Sequence, residues 1–155
     1  MDNNLTISSP QFSEGAFIPE KYTADGANIN PPLAISGVSD RAVSLVLIVD
    51  DPDAATDPDG PGKTYDHWVV FNIPPSIKQI NEDSAPEGSV IGKNGSGQNR
   101  YYGPAPPNGT HRYFFKLYGL SAKLNLDSNA SKQDVENAME GKVIQRAQLM
   151  AEYSR

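Results

Sequence analysis

The sequence predicts one mainly β domain, and three observations support this fold class. Thirteen prolines and thirteen glycines separate short apolar runs along the 155 residues, which is typical of strands joined by turns. The runs are rich in β-branched and aromatic side chains, which favour strands. A chain of this length buries roughly 70% of its unfolded surface, enough for a core without disulfides or metals. We therefore predict a single domain over residues 1–155.

Three apolar runs predict the principal strands. Residues 42–49 are almost continuously apolar, which predicts a strand buried on both faces at the centre of a sheet. Residues 67–73 and 112–120 combine aromatic and β-branched side chains and predict two further strands. His67 opens the first of these runs, and His111 directly precedes the second.

The C-terminal region predicts one helix and a closing strand. Ser131 and Asp134 have the spacing of a helix cap and its first turn, and Gly141 is expected to end that helix. Apolar and polar residues then alternate over 143–153, which favours a strand, with a continued helix as the alternative. The segment 82–110 is irregular and rich in glycine and proline, so it is either functional or disordered. Its aromatic pair, Tyr101 and Tyr102, favours a functional role.

Composition excludes several classes of function. The absence of cysteine excludes thiolate catalysis, cysteine-based zinc sites and disulfides. Thirteen Lys and Arg against nineteen Asp and Glu give a net charge of -6, which argues against nucleic-acid and anionic membrane partners. Neither a signal peptide nor a membrane-spanning run is recognisable. We expect a cytoplasmic protein without integral membrane association.

The only two histidines, His67 and His111, each follow a long loop and begin a predicted strand. One interpretation makes them a pair of hydrogen-bond donors converging on a bound anion. The other makes them structural residues at strand ends, which is the commoner case for a single histidine. Their joint placement beside the acidic cluster at 50–53 favours one shared site.

Asp51 and Asp53 have three possible uses. They could form a carboxylate pair for acid and base catalysis, ligate a metal, or close an Asx turn around Pro52. Turn formation is the commonest role of such a cluster. A calcium loop is disfavoured, because residues 51–62 lack the glycine and the glutamate that an EF-hand requires.

Enzymatic alternatives have weaker signals. His67, His111 and Asp51 could together hold zinc or iron with one position open, which would suit a metal-dependent hydrolase. No His-Glu-x-x-His spacing and no Gly-x-Ser-x-Gly elbow occurs. Gly95, Gly97 and Gly103 lack the lysine and serine of a phosphate-binding loop.

Several spaced motifs resemble the phosphatidylethanolamine-binding proteins, and the resemblance extends over nearly the whole chain. Its N-terminal region is similar to the bacterial and archaeal branch of that family. The motifs that carry it are Asp51-Pro52-Asp53-Ala54, Tyr65-Asp66-His67-Trp68, and Gly103 through Pro106-Pro107 to His111-Arg112-Tyr113.

The resemblance implies a mainly β fold with a large central antiparallel sheet, a smaller second sheet and a short helix in the C-terminal region. It also implies a small pocket that binds phosphate-like anions. The pocket residues would be Asp51, His67, His111 and Tyr113. The expected facing wall and rim comprise Pro107, Gly103, Tyr101, Tyr65 and Asp53. Ala55 and Tyr65 depart from the commoner family residues, proline and tryptophan, so the shape of the rim is expected to differ.

The leading hypothesis is therefore a non-catalytic protein that binds phosphate or a phosphoryl headgroup similar to phosphoethanolamine, without metal or other cofactor. In that pocket Asp51 would either orient an imidazole or meet the ammonium of the ligand. The alternatives are a protein inhibitor of a kinase or protease, and a metal-dependent hydrolase that uses the two histidines. A homodimer is also expected from bacterial relatives.

Overall fold

Two antiparallel sheets and one short helix make up the computed structural model, which describes residues 3–155. The larger sheet has five strands in the order β6-β4-β3-β7-β8, and the smaller has three in the order β1-β2-β5. This confirms the expected larger and smaller sheets. The strands are β1 (Thr6–Ser8), β2 (Leu33–Ser36), β3 (Ser44–Asp51), β4 (Tyr65–Ile73), β5 (Gln79–Ile80), β6 (Val90–Ile91), β7 (Thr110–Leu120) and β8 (Val143–Ser154).

The central strand β3 is buried along its whole length, as its apolar sequence predicts. Alternate side chains point to opposite faces of a strand, and here they enter two separate cores. Leu45, Leu47 and Val49 pack with the smaller sheet, whereas Val46 and Ile48 pack beneath the helix. The strand continues two residues further than its apolar run and ends with Asp50 and Asp51. These two carboxylates consequently point to opposite faces.

The helix α1 (Lys132–Met139) confirms the predicted capping sequence. The hydroxyl of Ser131 accepts the backbone N–H of Asp134, and the Asp134 carboxylate accepts the N–H of Ser131. Gly141 follows with φ of 78°, a left-handed conformation that favours glycine. The alternative of a longer helix is wrong, because β8 pairs with β7 along Thr110–Leu120. Helix α1 has eight residues, and the described part of the chain contains no helix suited to crossing a membrane.

A β-bulge in β4 interrupts, at His67, the regular alternation of side chains between the two faces of the sheet. Val49 pairs with Trp68 and Asp50 pairs with Asp66, so β4 carries one extra residue between these positions. Trp68 packs in the same core as Val49, while Asp66 is turned to the helix side, where Lys132 contacts it. His67 and Trp68 therefore share one face although they are consecutive, as a bulge allows.

The long segment 82–110 is ordered mainly by side-chain hydrogen bonds. Buried Asn94 accepts the amides of Ser96 and Gln98 and donates to the carbonyl of Arg100. The two-residue strand β6 is the part of this segment that joins the sheet, through pairing with β4. One side chain thus shapes a loop that periodicity could not predict.

We expect Ser131→Ala to lower the free energy of unfolding by about 1 kcal/mol, because the first turn of α1 loses its side-chain cap. Urea denaturation of the variant measures this change. Ser128→Ala, at an exposed residue of the preceding turn, is the matched control. Equal stability of the two variants would contradict the capping role.

Candidate functional site

A cavity of about 250 Å³ lies where β3 ends and where β4 and β7 begin. It brings together Asp51, Tyr65, His67, Pro107 and His111, five of the residues that the sequence predicted. The remaining lining residues are Ala54, Pro61, Ser96, Tyr102, Ala105 and Pro106. Two turns, one after β3 and one before β7, therefore close over the end of the large sheet.

Asp51 uses both carboxylate oxygens within the protein. Its Oδ1 accepts the backbone N–H groups of Asp53, at 2.9 Å, and of Ala54, at 3.2 Å. It thereby caps the 3-10 helix Pro52–Ala55, as the turn-forming interpretation predicts. Its Oδ2 lies 2.6 Å from Nδ1 of His111. Burial raises the pKa of Asp51, against the lowering by these hydrogen bonds. Of the two roles considered for this carboxylate, the geometry corresponds to orientation of an imidazole.

His111 is held between two carboxylates. Besides the contact with Asp51, its Nε2 lies 2.7 Å from Oδ2 of Asp57. Burial alone would lower the pKa of this imidazole, but the hydrogen bonds to Asp51 and Asp57 outweigh burial, and the pKa is raised. A carboxylate can only accept, so both ring nitrogens donate and the ring is an imidazolium.

Asp57 is itself anchored by the surrounding loops. Its Oδ1 accepts from Nδ2 of Asn108 and from the backbone N–H of Asp59, both at 2.9 Å. These two hydrogen bonds are the main reason why the pKa of Asp57 falls to about 2. Sequence reasoning missed Asp57 as a site residue. The only signal was the sequence Asp57-Pro58-Asp59-Gly60, which repeats the acidic pattern of 51–53 and is typical of a turn.

His67 is neutral and has one ring nitrogen without a partner. Its Nδ1 lies 2.5 Å from the carbonyl oxygen of Tyr102, while its Nε2 is buried and makes no hydrogen bond to the described residues. Burial lowers the pKa of His67 to about 4. The structure therefore differs from the expected pair of donors. Both ring nitrogens of His111 are bonded to carboxylates, and Nε2 of the neutral His67 carries a lone pair instead of a proton.

Tyr113 packs behind the two imidazoles rather than in the cavity wall. Its ring meets His67 edge-on, with centroids 5.2 Å apart, and lies nearly parallel to His111, with centroids 6.4 Å apart. Its hydroxyl is buried without a hydrogen bond to the described residues, and burial raises its pKa. Buried polar atoms normally have partners, so this hydroxyl and Nε2 of His67 are unusual.

The aromatic wall depends on a glycine. The hydroxyl of Tyr65 bonds to the Ser96 hydroxyl, and its ring meets His67 edge-on. A Cβ on Gly95 would come within 2.6 Å of the Tyr65 ring, so only glycine fits there without displacing this wall. Tyr65 thus lines the cavity, while Ala55 is exposed.

Besides Tyr113, three predicted site residues lie outside the cavity wall. Tyr101 turns away and donates its hydroxyl to the carbonyl of Tyr22, and its ring packs on Trp68. Gly103 packs against the backbone of residues 22–23. Asp53 forms an exposed pair with Arg112 instead, accepting from its guanidinium at 2.8 Å. Tyr102 takes the wall position expected of Tyr101, because neighbouring residues in extended chain point in opposite directions.

The other face of the sheet carries a separate charged cluster. Asp50 accepts from Lys116 at 3.1 Å and lies 3.4 Å from the Lys132 ammonium, which also contacts Asp66 at 2.9 Å. The pairing of Asp50 and Asp66 across β3 and β4 is thus fixed by a lysine of α1. These ion pairs help to fix the pairing of β3 with β4 next to the bulge at His67.

We expect the two imidazoles to titrate on opposite sides of the ordinary histidine value of 6.5. His67 should stay neutral down to about pH 4 because it is buried. His111 should stay charged to a higher pH than an ordinary histidine, because its hydrogen bonds to Asp51 and Asp57 outweigh burial. Since the unfolded chain protonates both near pH 6.5, His67 lowers stability as the pH falls from 6.5 to 4. The contribution of His111 has the opposite sign: it is complete below 6.5 and is lost as the pH rises through the raised pKa.

Nitrogen-detected NMR titration of the imidazoles measures both values and reports which ring nitrogen carries the proton. With only two histidines in the chain, one His67→Gln spectrum assigns the signals. A His67 that titrates at or above the ordinary value would refute the neutral state.

We expect Asp57→Asn to lower the pKa of His111, because the imidazolium loses one of its two charged acceptors. The same titration measures the shift. Asp40→Asn, at an exposed residue of another turn, should leave the titration unchanged. An unaltered pKa in the Asp57 variant would show that this carboxylate does not stabilise the charged ring.

Comparisons with known proteins agree with this architecture. The family model described as phosphatidylethanolamine-binding protein matches residues 8–154. A UPF0098 protein of Methanothermobacter thermautotrophicus is 47% identical over 156 residues, which cover 97% of this chain and 99% of the relative. A crystal structure of a phosphatidylethanolamine-binding protein homolog from Chlamydia trachomatis superimposes with a TM-score of 0.90 at 36% identity and covers 100% and 99% of the two chains.

The E. coli protein YbcL, described as a new member of the mammalian PEBP family, is similar in structure with a TM-score of 0.86 at 28% identity. The superposition covers 97% of this chain and 98% of YbcL. The family match extends over both charged faces of the sheet and the whole cavity. The chain belongs to the phosphatidylethanolamine-binding protein family.

Proposed function

We propose that this chain is a non-catalytic binding protein whose cavity takes a small ligand with a phosphoryl group. The observation that carries the proposal is the cavity lined by His67 and His111, in which Nε2 of the buried His67 has no hydrogen-bond partner among the described residues. Such an atom costs about 1–3 kcal/mol when it stays unsatisfied. A ligand that forms a hydrogen bond with His67 would remove that cost.

The size and walls of the cavity support a headgroup-sized ligand. Its volume of about 250 Å³ lies below the range of roughly 300–1,000 Å³ typical of sites for drug-sized molecules. Tyr65 and Tyr102 provide broad apolar walls with hydroxyl groups, and Pro106 and Pro107 provide a wall of restricted flexibility. The name of the family points to the same class of ligand, a phosphorylated amino alcohol.

The lining also favours binding over catalysis. The aliphatic hydroxyl in the wall, that of Ser96, is bonded to the Tyr65 hydroxyl rather than to a base. Asp51 is committed to a turn and to His111. Neither group is set up as a nucleophile with an adjacent general base.

The alternatives have less support. Within residues 3–155, no group of three or more His, Asp or Glu side chains is arranged to hold a metal ion, and both nitrogens of His111 are engaged by carboxylates. The metal-dependent hydrolase is therefore not favoured. Inhibition of a kinase or protease stays a prediction, as do the homodimer and the cytoplasmic location.

We expect phosphoethanolamine to bind to the wild-type protein and to bind about tenfold more weakly to His67→Phe, which keeps a ring but loses one hydrogen bond worth about 1.4 kcal/mol. Isothermal titration calorimetry at pH 6 measures both affinities. Tyr118→Phe is the control, since it removes a hydroxyl from β7 on the helix side of the large sheet, away from the cavity. No binding at millimolar concentration, or equal affinity of the His67 variant, would refute the proposal.

A further inference from the structure

The chain contains two Asn-Gly sequences, and the fold places them in different environments. In this dipeptide the backbone nitrogen of glycine can attack the side-chain carbonyl carbon of asparagine, because glycine has no side chain to hinder the approach. Asn94-Gly95 and Asn108-Gly109 both lie in the irregular segment between β6 and β7. The dipeptide is the same at both places, so a difference in reactivity must come from the structure.

The first sequence is held in an unreactive arrangement. The buried side chain of Asn94 accepts two backbone amides of its own loop and donates to the carbonyl of Arg100. The nitrogen that would attack, that of Gly95, donates its proton to the carbonyl of Asp66 at 2.8 Å. Attack would have to break these hydrogen bonds, so the fold protects this asparagine.

The second sequence is open to attack. Asn108 and Gly109 are both exposed. Within residues 3–155, no hydrogen bond engages the backbone N–H of Gly109. Its φ of 59° is left-handed, and a Cβ built on it would meet no other atom within 4 Å. The attacking nitrogen is therefore available, and nothing crowds the space beside it.

The amide group of Asn108 also has a structural role. Its Nδ2 donates to Oδ1 of Asp57 at 2.9 Å and to Oδ2 of Asp59 at 2.5 Å. A neutral donor thus separates two carboxylates that would otherwise repel each other. The other oxygen of Asp57 holds the imidazolium of His111. One exposed amide consequently connects the loop before β7 to the turn that carries a buried ion pair.

We propose that Asn108 is a site of spontaneous deamidation, and that its conversion releases the turn at residues 57–60 from the loop before β7. The nitrogen of Gly109 forms a bond to Cγ of Asn108, and the side-chain nitrogen leaves as ammonia with the proton of Gly109. The resulting succinimide takes up one water molecule and opens to aspartate or isoaspartate. The product is a carboxylate, which only accepts. Both hydrogen bonds are lost, and three carboxylates meet.

Peptide mass spectrometry of the native protein, incubated at pH 7.5 and 37 °C, tests the modification site. Deamidation adds about one mass unit. We expect conversion at Asn108 to be at least tenfold faster than at Asn94. In urea the two rates should agree within about threefold, because the protection of Asn94 depends on the fold. The rate at Asn108 should also rise with pH, since the attacking nitrogen must lose its proton.

Asn108→Ser is the matched control for the chemistry. Serine keeps a hydroxyl donor for the neighbouring carboxylates but has no amide to lose. The mass shift in this peptide should disappear, while the slow conversion at Asn94 should be unchanged.

Hydrogen exchange of the Asn108→Asp variant tests the release of the turn. The N–H groups of Asp59 and Gly60 are bonded to the side chain and the backbone carbonyl of Asp57, both at 2.9 Å. They therefore report on its opening. We expect both to exchange at least tenfold faster than in the wild type, as measured by NMR. Asn129→Asp adds the same charge at an exposed residue of another turn and should exchange as the wild type does.

The deamidated fraction of the wild-type protein, separated by ion exchange, allows the same measurement if the aspartate variant does not fold. Conversion at Asn108 no faster than at Asn94 in the native protein would overturn the modification site. Unchanged exchange of both amides after conversion would overturn the release of the turn. Neither step depends on what the cavity binds, so failure of the ligand proposal would leave both standing.

Discussion

The carboxylate of Asp51 is the group on which the geometry of the site depends. One of its oxygens caps the turn that leaves the central strand, and the other holds His111 at the beginning of β7. A buried carboxylate is tolerated when its lone pairs are satisfied, and here two different elements satisfy them. The end of β3, the turn after it and the first residues of β7 are therefore fixed together, and the cavity lies between them.

Alternation along the strands then distributes the charged groups over two faces. Asp50 and Asp51 are neighbours, yet the first meets Lys116 and Lys132 on the helix side and the second faces the cavity. Removing one partner of a buried ion pair leaves an uncompensated charge and is strongly destabilising. The ion pairs on the helix side thus help to fix the register of β3 and β4. The one extra residue in β4 then places His67 on the cavity side of the sheet.

The chemistry of the cavity follows from which hydrogen bonds the protein has already made. Both ring nitrogens of His111 already donate hydrogen bonds, to Asp51 and to Asp57. Nδ1 of His67 donates to the backbone carbonyl of Tyr102. The two histidines, which the sequence suggests as a pair of donors to an anion, therefore differ in state. His111 is an imidazolium held between two carboxylates, and His67 is a neutral ring.

The sequence by itself determined the elements whose signal is local. A continuous β-branched run predicted the buried central strand, a capping pair predicted α1, and alternation predicted β8, because each pattern depends on neighbouring residues. Spaced motifs also predicted that Asp51, His67 and His111 belong to one site, and the three residues line one cavity. The short strands β1, β2 and β5, with two to four residues each, have too little periodicity to be recognised.

Only the tertiary structure decided which groups are free to meet a ligand. Asp57 reaches His111 across 54 positions of the chain, Tyr102 rather than Tyr101 faces His67, and Asp53 pairs with Arg112. These choices depend on how loops return to the end of the sheet, on a bulge, and on which polar atoms burial leaves unpaired. Residue types alone do not contain that information, because the role of a histidine or a carboxylate is set by its partner.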